Sequence, residues 1–397
     1  MNKLSEEKAS ENTIYPLRLK KINLTNFRNY AKLELNLDSD VIFITGENGS
    51  GKTSILEAVS LASVLRSFRK SSDKDMILWD NSYYSINIEY NDKGGGQKLH
   101  IGYGKTSESD NEKISRHLKY NSEKLTRVSD FVGKFQTIVF SPNDIDIVDT
   151  SLTERRRFVD ITLSSLNSQY MKSLQNYRKT LQVRTALLKE HKYKPLDKIY
   201  FRSIDMELAK DAVFIQKKRK EFIIEFQKHF EKYVFEISNN KDNWIISYEP
   251  SVKKAETEND YIDEIESRLS EDIRKLRTTK GIHLDQINFH PAHNLNLEIR
   301  RIASQGQKRT AALALKMAQF SYARQLSHKT PVCLIDDVLT ELDEQRRISF
   351  IKFLSEIGQA IITSAHIKDM NYLKEKIGLK NKVTVYQLSN GLIHTLD

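Results

Sequence analysis

The sequence predicts an α/β fold: a head assembled from both ends of the chain, interrupted by a mostly helical arm. Three observations carry this. Residues 46–53 read Gly-Glu-Asn-Gly-Ser-Gly-Lys-Thr, the full G-x-x-x-x-G-K-[ST] pattern, between an apolar run and a helix-like run. Near the other end, the apolar run Val332–Ile335 stops at two carboxylates, Asp336 and Asp337. Between them lie residues 151–280, poor in glycine and proline and spaced like helices, as in Leu174, Tyr177 and Leu181.

The elements follow in order. Residues 1–15 are polar, mixed in charge and lack an apolar core, so they predict a flexible extension and not a signal peptide. Leu33, Leu35 and Leu37 alternate with Lys32, Glu34 and Asn36, the period-two pattern of a half-buried strand. Val41–Thr45 is apolar throughout and reads as a buried strand, while Ser54–Leu65, apolar nearly all round, reads as a buried helix. Residues 83–103 predict strands joined at Gly94-Gly95-Gly96, residues 104–130 a surface hairpin or loop, and Phe135–Phe140 another strand. Strand and turn signals return at 281–300; a helix from about Gln307 to Leu326 and strands at Val332–Asp336 and Ala360–Thr363 complete the head. The domain reading is therefore 1–15 extension, 16–150 first part of the head, 151–280 helical arm, and 281–397 second part of the head.

Composition narrows the class. The 397 residues carry a formal net charge of +10, which favours a polyanionic partner. A single cysteine, Cys333, excludes a disulfide framework and a cysteine zinc site. Apolar runs stay well short of a membrane span, so a cytoplasmic protein is expected, with no membrane partner.

The chemistry sits in three motifs. The glycines of the P-loop let backbone N–H groups close around a phosphate at a helix start, so Gly46, Glu47, Asn48, Gly49, Ser50, Gly51, Lys52 and Thr53 form the candidate ATP cradle. Lys52 is expected on the β/γ-phosphates, and the Thr53 hydroxyl with Asp336 on Mg2+. Asp337 is placed to orient or activate water, making Lys52, Asp336 and Asp337 the candidate catalytic set. Ser304-Gln305-Gly306-Gln307 opens a helix about 30 residues before the acidic strand, where a hydroxyl and free N–H groups form an anion site.

That order of P-loop, long insertion, S-x-G-Q, apolar-Asp-Asp and then Leu339-Thr340-Glu341-Leu342-Asp343 resembles the ABC/SMC ATPase head. In that family the S-x-G-Q loop of one subunit seals the ATP held by the P-loop of another. The resemblance thus implies an ATP-dependent homodimer with Ser304, Gly306 and Gln307 on the partner's γ-phosphate, and Asp343 at the dimer interface. More narrowly, the chain resembles the RecF family of bacterial recombination mediators. Asn26-Phe27-Arg28-Asn29-Tyr30, Ser67-Phe68-Arg69, Phe140-Ser141-Pro142-Asn143-Asp144, Arg155-Arg156-Arg157-Phe158-Val159-Asp160 and Ser304–Thr310 carry that likeness. It implies slow DNA-stimulated ATP hydrolysis, binding to double-stranded DNA and to gapped or single-strand junctions, recombinase loading with RecO and RecR, and a place for Arg28 near the phosphates. His366 follows the last strand where related ATPases carry a γ-phosphate-sensing histidine. The family's G-P-H-R-D-D ahead of the signature survives only in part, as Gly281-Ile282-His283-Leu284-Asp285-Gln286.

Residues 161–189 contain Lys172, Arg178, Lys179, Arg184 and Lys189 and no acidic residue, which makes them the candidate DNA face. Arg155–Arg157 are expected to brace the insertion against the head, and Tyr170 and Tyr177, seven apart, to pack. A transporter subunit would carry L-S-G-G-Q and a glutamate after the strand aspartate, where Gln305 and Asp337 stand. A kinase or GTPase has no need of S-x-G-Q, and a cohesin-like protein needs a far longer coiled coil. A related-head ATPase of phage defence or another DNA-maintenance system is the alternative function.

Overall fold

A computed structural model describes residues 14–104, 114–193, 195, 197–253, 255–365, 375, 382–389 and 392–396. His366 and residues 1–13 lie outside the described residues. The chain divides into two compact units: residues 1–144, 236–240 and 312–397, and residues 145–235 and 241–311.

The first unit is built on two sheets. Parallel strands Thr137–Phe140, Val332–Asp336, Ala360–Ser364, Val41–Gly46 and Val383–Ser389 lie side by side, and Leu392–Leu396 closes one edge antiparallel. The three central strands, Val332–Asp336, Ala360–Ser364 and Val41–Gly46, are apolar almost without interruption because both faces are covered, and Ile42, Ile44, Leu334, Ile335, Ile361 and Ile362 are fully buried. The register sets Asp336 beside Thr363, and Thr45 beside both Ser364 and Gln387. The P-loop and the two aspartates therefore leave the sheet at the same, carboxyl, end, where ligands of open α/β sheets bind.

The second sheet is antiparallel, in the order Tyr30–Asn36, Arg18–Phe27, Tyr84–Asp92, Gly95–Gly104, Ser115–Tyr120, Glu123–Leu125. The helix Lys52–Val64 touches strands of both sheets. That position explains its lack of a polar face: Ile55, Leu56, Ala58, Val59, Leu61 and Ala62 are all completely buried. Tyr15, read from sequence as the end of the extension, and Pro16 pair in parallel with Lys329–Thr330.

A buried amide ties the first unit's strand ends together. Gln359 donates from Nε2 to the carbonyls of Leu19, Leu37 and Ser39, and its Oε1 accepts from the Leu19 N–H. Leucine there would keep the volume and leave these buried backbone groups without partners. Gln359→Leu is expected to cost about 3 kcal/mol of stability, measured by urea unfolding; a loss below about 1 kcal/mol would show that water takes over the bonds.

The second unit holds helices Leu152–Leu166, Ser168–Glu190, Lys198–Ser238 (its last residues grouping with the first unit), Glu258–Glu266 and Leu269–Lys275. One antiparallel pair, Trp244–Glu249 with Gln286–Pro291, runs through it. This pair corrects the expected boundary: residues 281–311 belong with the helices, because the strand at 286–291 finds its partner at 244–249 and not in the head. Tyr170 and Tyr177 pack in this unit's interior as expected. Arg155 braces within the unit: its guanidinium meets Glu298 at 2.6 Å and donates to the carbonyls of Ile287 and Val148.

Candidate nucleotide site

The P-loop takes the shape its glycines permit. Gly49 and Gly51 have φ of 83° and 105°, in the region that side chains avoid. A Cβ on Gly51 would lie 2.5 Å from Asn29 Nδ2 and 2.6 Å from Tyr30 Oη, so the turn at Asn29-Tyr30 presses directly on the loop. Asn29 Nδ2 also donates to the Ser50 carbonyl at 3.3 Å. Ser50 Oγ and Tyr30 Oη are buried without a hydrogen-bond partner among the described residues, polar atoms waiting beside a loop built for anions.

Lys52 arches back over the loop, and its Nζ donates to the carbonyls of Gly46 (2.7 Å) and Glu47 (2.8 Å). Burial holds its pKa below the ordinary lysine value, opposed by the nearby carboxylates of Asp337 and Asp336. Thr53 Oγ1 donates to Asp336 Oδ1 at 2.8 Å, and Thr363 Oγ1 donates to the same oxygen at 2.9 Å. A hydroxyl and a carboxylate in contact at a P-loop are the oxygen donors Mg2+ prefers. Asp337 has φ 52°, and its N–H bonds the Thr363 carbonyl. These groups border a cleft of about 590 Å3, a size suited to a small ligand.

Arg28 lines the same cleft. Its guanidinium is held by Glu57 through two bonds, 2.8 Å and 2.7 Å, and by Ser71 Oγ at 2.6 Å. Glu57 is completely buried in the P-loop helix, so this cation is what makes its carboxylate tolerable there.

Ser304, in the second unit, precedes the helix Gln305–Ser327, whose residues from Ala312 onward group with the first unit. Ser304 Oγ accepts from the Gln307 N–H (3.2 Å), and Gln307 Oε1 accepts from the Ser304 N–H (3.0 Å), a reciprocal capping box. Ser304 and Gln305 are exposed, Gly306 is half-buried, and Gln307 Nε2 reaches Asp242 at 2.9 Å. Asp343 caps the helix Glu344–Leu354 by accepting from the Arg346 N–H, and it pairs with the Arg346 guanidinium.

Residues 18–387 match the family described as RecF/RecN/SMC N terminal domain. A DNA replication and repair protein RecF of Leptospira interrogans serogroup Icterohaemorrhagiae serovar Lai (strain 56601) is 33% identical over 379 residues, 95% of this chain and 99% of that one. The chain belongs to the RecF family. A RecF of Agathobacter rectalis is likewise 33% identical, over 96% of this chain and 99% of its own. A solved structure of the recombination mediator protein RecF with ATP, from the RecFOR pathway, superposes with a TM-score of 0.86 at 28% identity, covering 97% of this chain and 99% of that one. An Smc head from Pyrococcus furiosus shares the fold at a TM-score of 0.52, with 16% identity over 96% of each chain. The architecture is thus the α/β ABC/SMC-type head shared by RecF and SMC proteins.

Within this RecF-family chain the candidate DNA face needs one correction. Lys172, Lys179 and Lys189 are exposed, and Arg178 is partly exposed with its guanidinium 3.3 Å from Asp160. Arg184 is completely buried, bonded to Asp205 and Asp272 at 2.6 Å each and to Thr278 at 2.8 Å. It cannot meet DNA. Counting charges in a window of sequence misses acidic partners supplied from 21 and 88 residues away. Asp285, left from the partial family motif, is also buried, bonded to Arg219 at 2.7 Å and Tyr248 at 2.5 Å. The sequence reading also missed Thr363, whose one signal is a hydroxyl at the end of the strand next to the acidic one. Among the described residues, no helix is long and apolar enough to cross a membrane.

Proposed function

We propose that the chain is an ATP-dependent DNA-repair and replication protein that dimerises on ATP around DNA and uses slow, DNA-stimulated hydrolysis as a release timer. The observation that carries this is the contact of Thr53 with Asp336 beneath a P-loop whose lysine is held over the loop. Bound Mg2+ supplies charge neutralisation between phosphate oxygens. The P-loop residues Gly46 to Thr53 bind the triphosphate, Lys52 holds its terminal phosphates, Thr53 and Asp336 hold the metal, and Asp337 orients the attacking water. Arg28 stands at the phosphates, and Ser304, Gly306 and Gln307 of a second copy close the site, with Asp343 at that interface. His366 is proposed as the phosphate-sensing switch. Lys172, Arg178, Lys179 and Lys189 contact DNA phosphates, at duplex and at gapped or single-strand junctions. RecO and RecR are the proposed partners, from the pathway named for the solved relative.

Ser304→Asp tests the dimer. Aspartate caps a helix as well as serine, so the fold is kept, but its charge would face the partner's γ-phosphate. Light scattering with Mg-ATP is expected to show dimers for the wild type and monomers for the variant, with ATP affinity of the monomer unchanged. Equal dimerisation of the two proteins would refute the closing role of this loop.

A further inference from the structure

Trp79 is 90% exposed, more than any other large apolar or aromatic side chain among the described residues, and it stands on the border of the nucleotide cleft. The surrounding backbone is not loose. The Phe27–Ile77 bridge, the Arg28 N–H bond to Met76 O (2.8 Å) and the Leu78 N–H bond to Asn26 O (2.9 Å) dock residues 76–78 against the turn carrying Arg28 and Asn29. Asn81 then fixes the next turn, its N–H on Leu78 O and its side-chain Nδ2 on Trp79 O at 2.9 Å. The same Asn29 turn presses on Gly51 and bonds Ser50. One rigid connection therefore sets the position of the indole relative to the phosphate loop.

A held-out indole exposes a large apolar face to water, and burial against another flat ring recovers that loss. Asn29, Asn48, Lys52, Thr53 and the aspartates on the cleft's border suit phosphates and a metal, and Ile77 and Leu78 add aliphatic surface beside the indole, so Trp79 presents the one aromatic ring among the lining residues. We propose that Trp79 is the base platform of the site, its indole stacking on the purine of the nucleotide whose phosphates the P-loop holds. The proposal rests on the P-loop reading above. It makes Trp79 a positioning residue that adds affinity for any nucleoside triphosphate without choosing adenine over guanine, since every base offers a π-face.

The chain's other tryptophan, Trp244, is buried in the second unit, so emission from the exposed indole can be followed in the full-length protein. Titration with Mg-ATP is expected to quench this emission, and Mg-tripolyphosphate, which has no base, to leave it unchanged while still binding. Trp79→Phe should lose the quench and bind ATP within about threefold of wild type, because a smaller ring still stacks. Trp79→Ala should weaken ATP about tenfold by equilibrium dialysis and leave tripolyphosphate affinity as it was. Equal ATP affinity of wild type and Trp79→Ala, with no quench, overturns the platform and leaves the P-loop reading standing. If neither ATP nor tripolyphosphate binds wild type, the P-loop reading falls and the platform with it.

Discussion

Lys52→Met is expected to weaken Mg-ATP binding by about 100-fold or more, while Asp337→Asn keeps the nucleotide bound and slows its hydrolysis by about 100- to 10,000-fold. The two variants differ because the two residues meet ATP in different ways. The Lys52 ammonium is largely buried and satisfied by the carbonyls of Gly46 and Glu47. It can exchange those bonds for charge-assisted ones to phosphate, and methionine, with a similar stem, offers no donor at all. Asp337 sits at φ 52°, where asparagine is among the best-tolerated residues, so the substitution removes charge without straining the turn. The Asp337→Asn protein should therefore accumulate as an ATP-bound dimer in gel filtration, and the Lys52→Met protein should stay monomeric. Binding is measured by calorimetry and hydrolysis by single-turnover phosphate release. If the two variants behave alike with nucleotide, ATP does not control assembly here.

Much of the nucleotide site was legible because its residues are contiguous. Gly46–Thr53 and Val332–Asp337 each carry their own structural context, a strand with a helix or turn after it, and the Thr53 hydroxyl donates to Asp336. Partners that meet only in three dimensions were not legible. Thr363 reaches Asp336 across a strand register, and Glu57 answers Arg28 from the P-loop helix. The 281–311 segment looked like head because a strand signal does not say which sheet it joins. The helix Lys52–Val64 showed the converse: its apolar residues on every side predicted burial, and lying between two sheets provides it. Arg184 failed for a related reason. A one-signed stretch signals DNA only if its cations reach water, and burial is settled by Asp205 and Asp272 elsewhere in the chain.

The run Lys217-Lys218-Arg219-Lys220 poses the same choice, and Arg219 decides it. Its guanidinium is buried, 2.8 Å from Asp160 and 2.7 Å from Asp285, and also donates to the Ile282 carbonyl. Tyr170 and Tyr248 donate their hydroxyls to the same two carboxylates. Burial pushes the Asp285 carboxyl above its ordinary pKa, and Arg219 is the largest influence opposing that shift. Arg219→Met would leave buried Asp285 without its cation and Asp160 with only Arg178 at 3.3 Å, and breaking such a network from one side costs about 3–5 kcal/mol. Urea unfolding should show that loss, and adding Asp160→Asn and Asp285→Asn to the variant should recover part of it by removing the stranded charges. If instead Arg219→Met leaves unfolding unchanged and lowers affinity for DNA with a shallower salt dependence, the arginine faces phosphates and the network is not what holds the helices together.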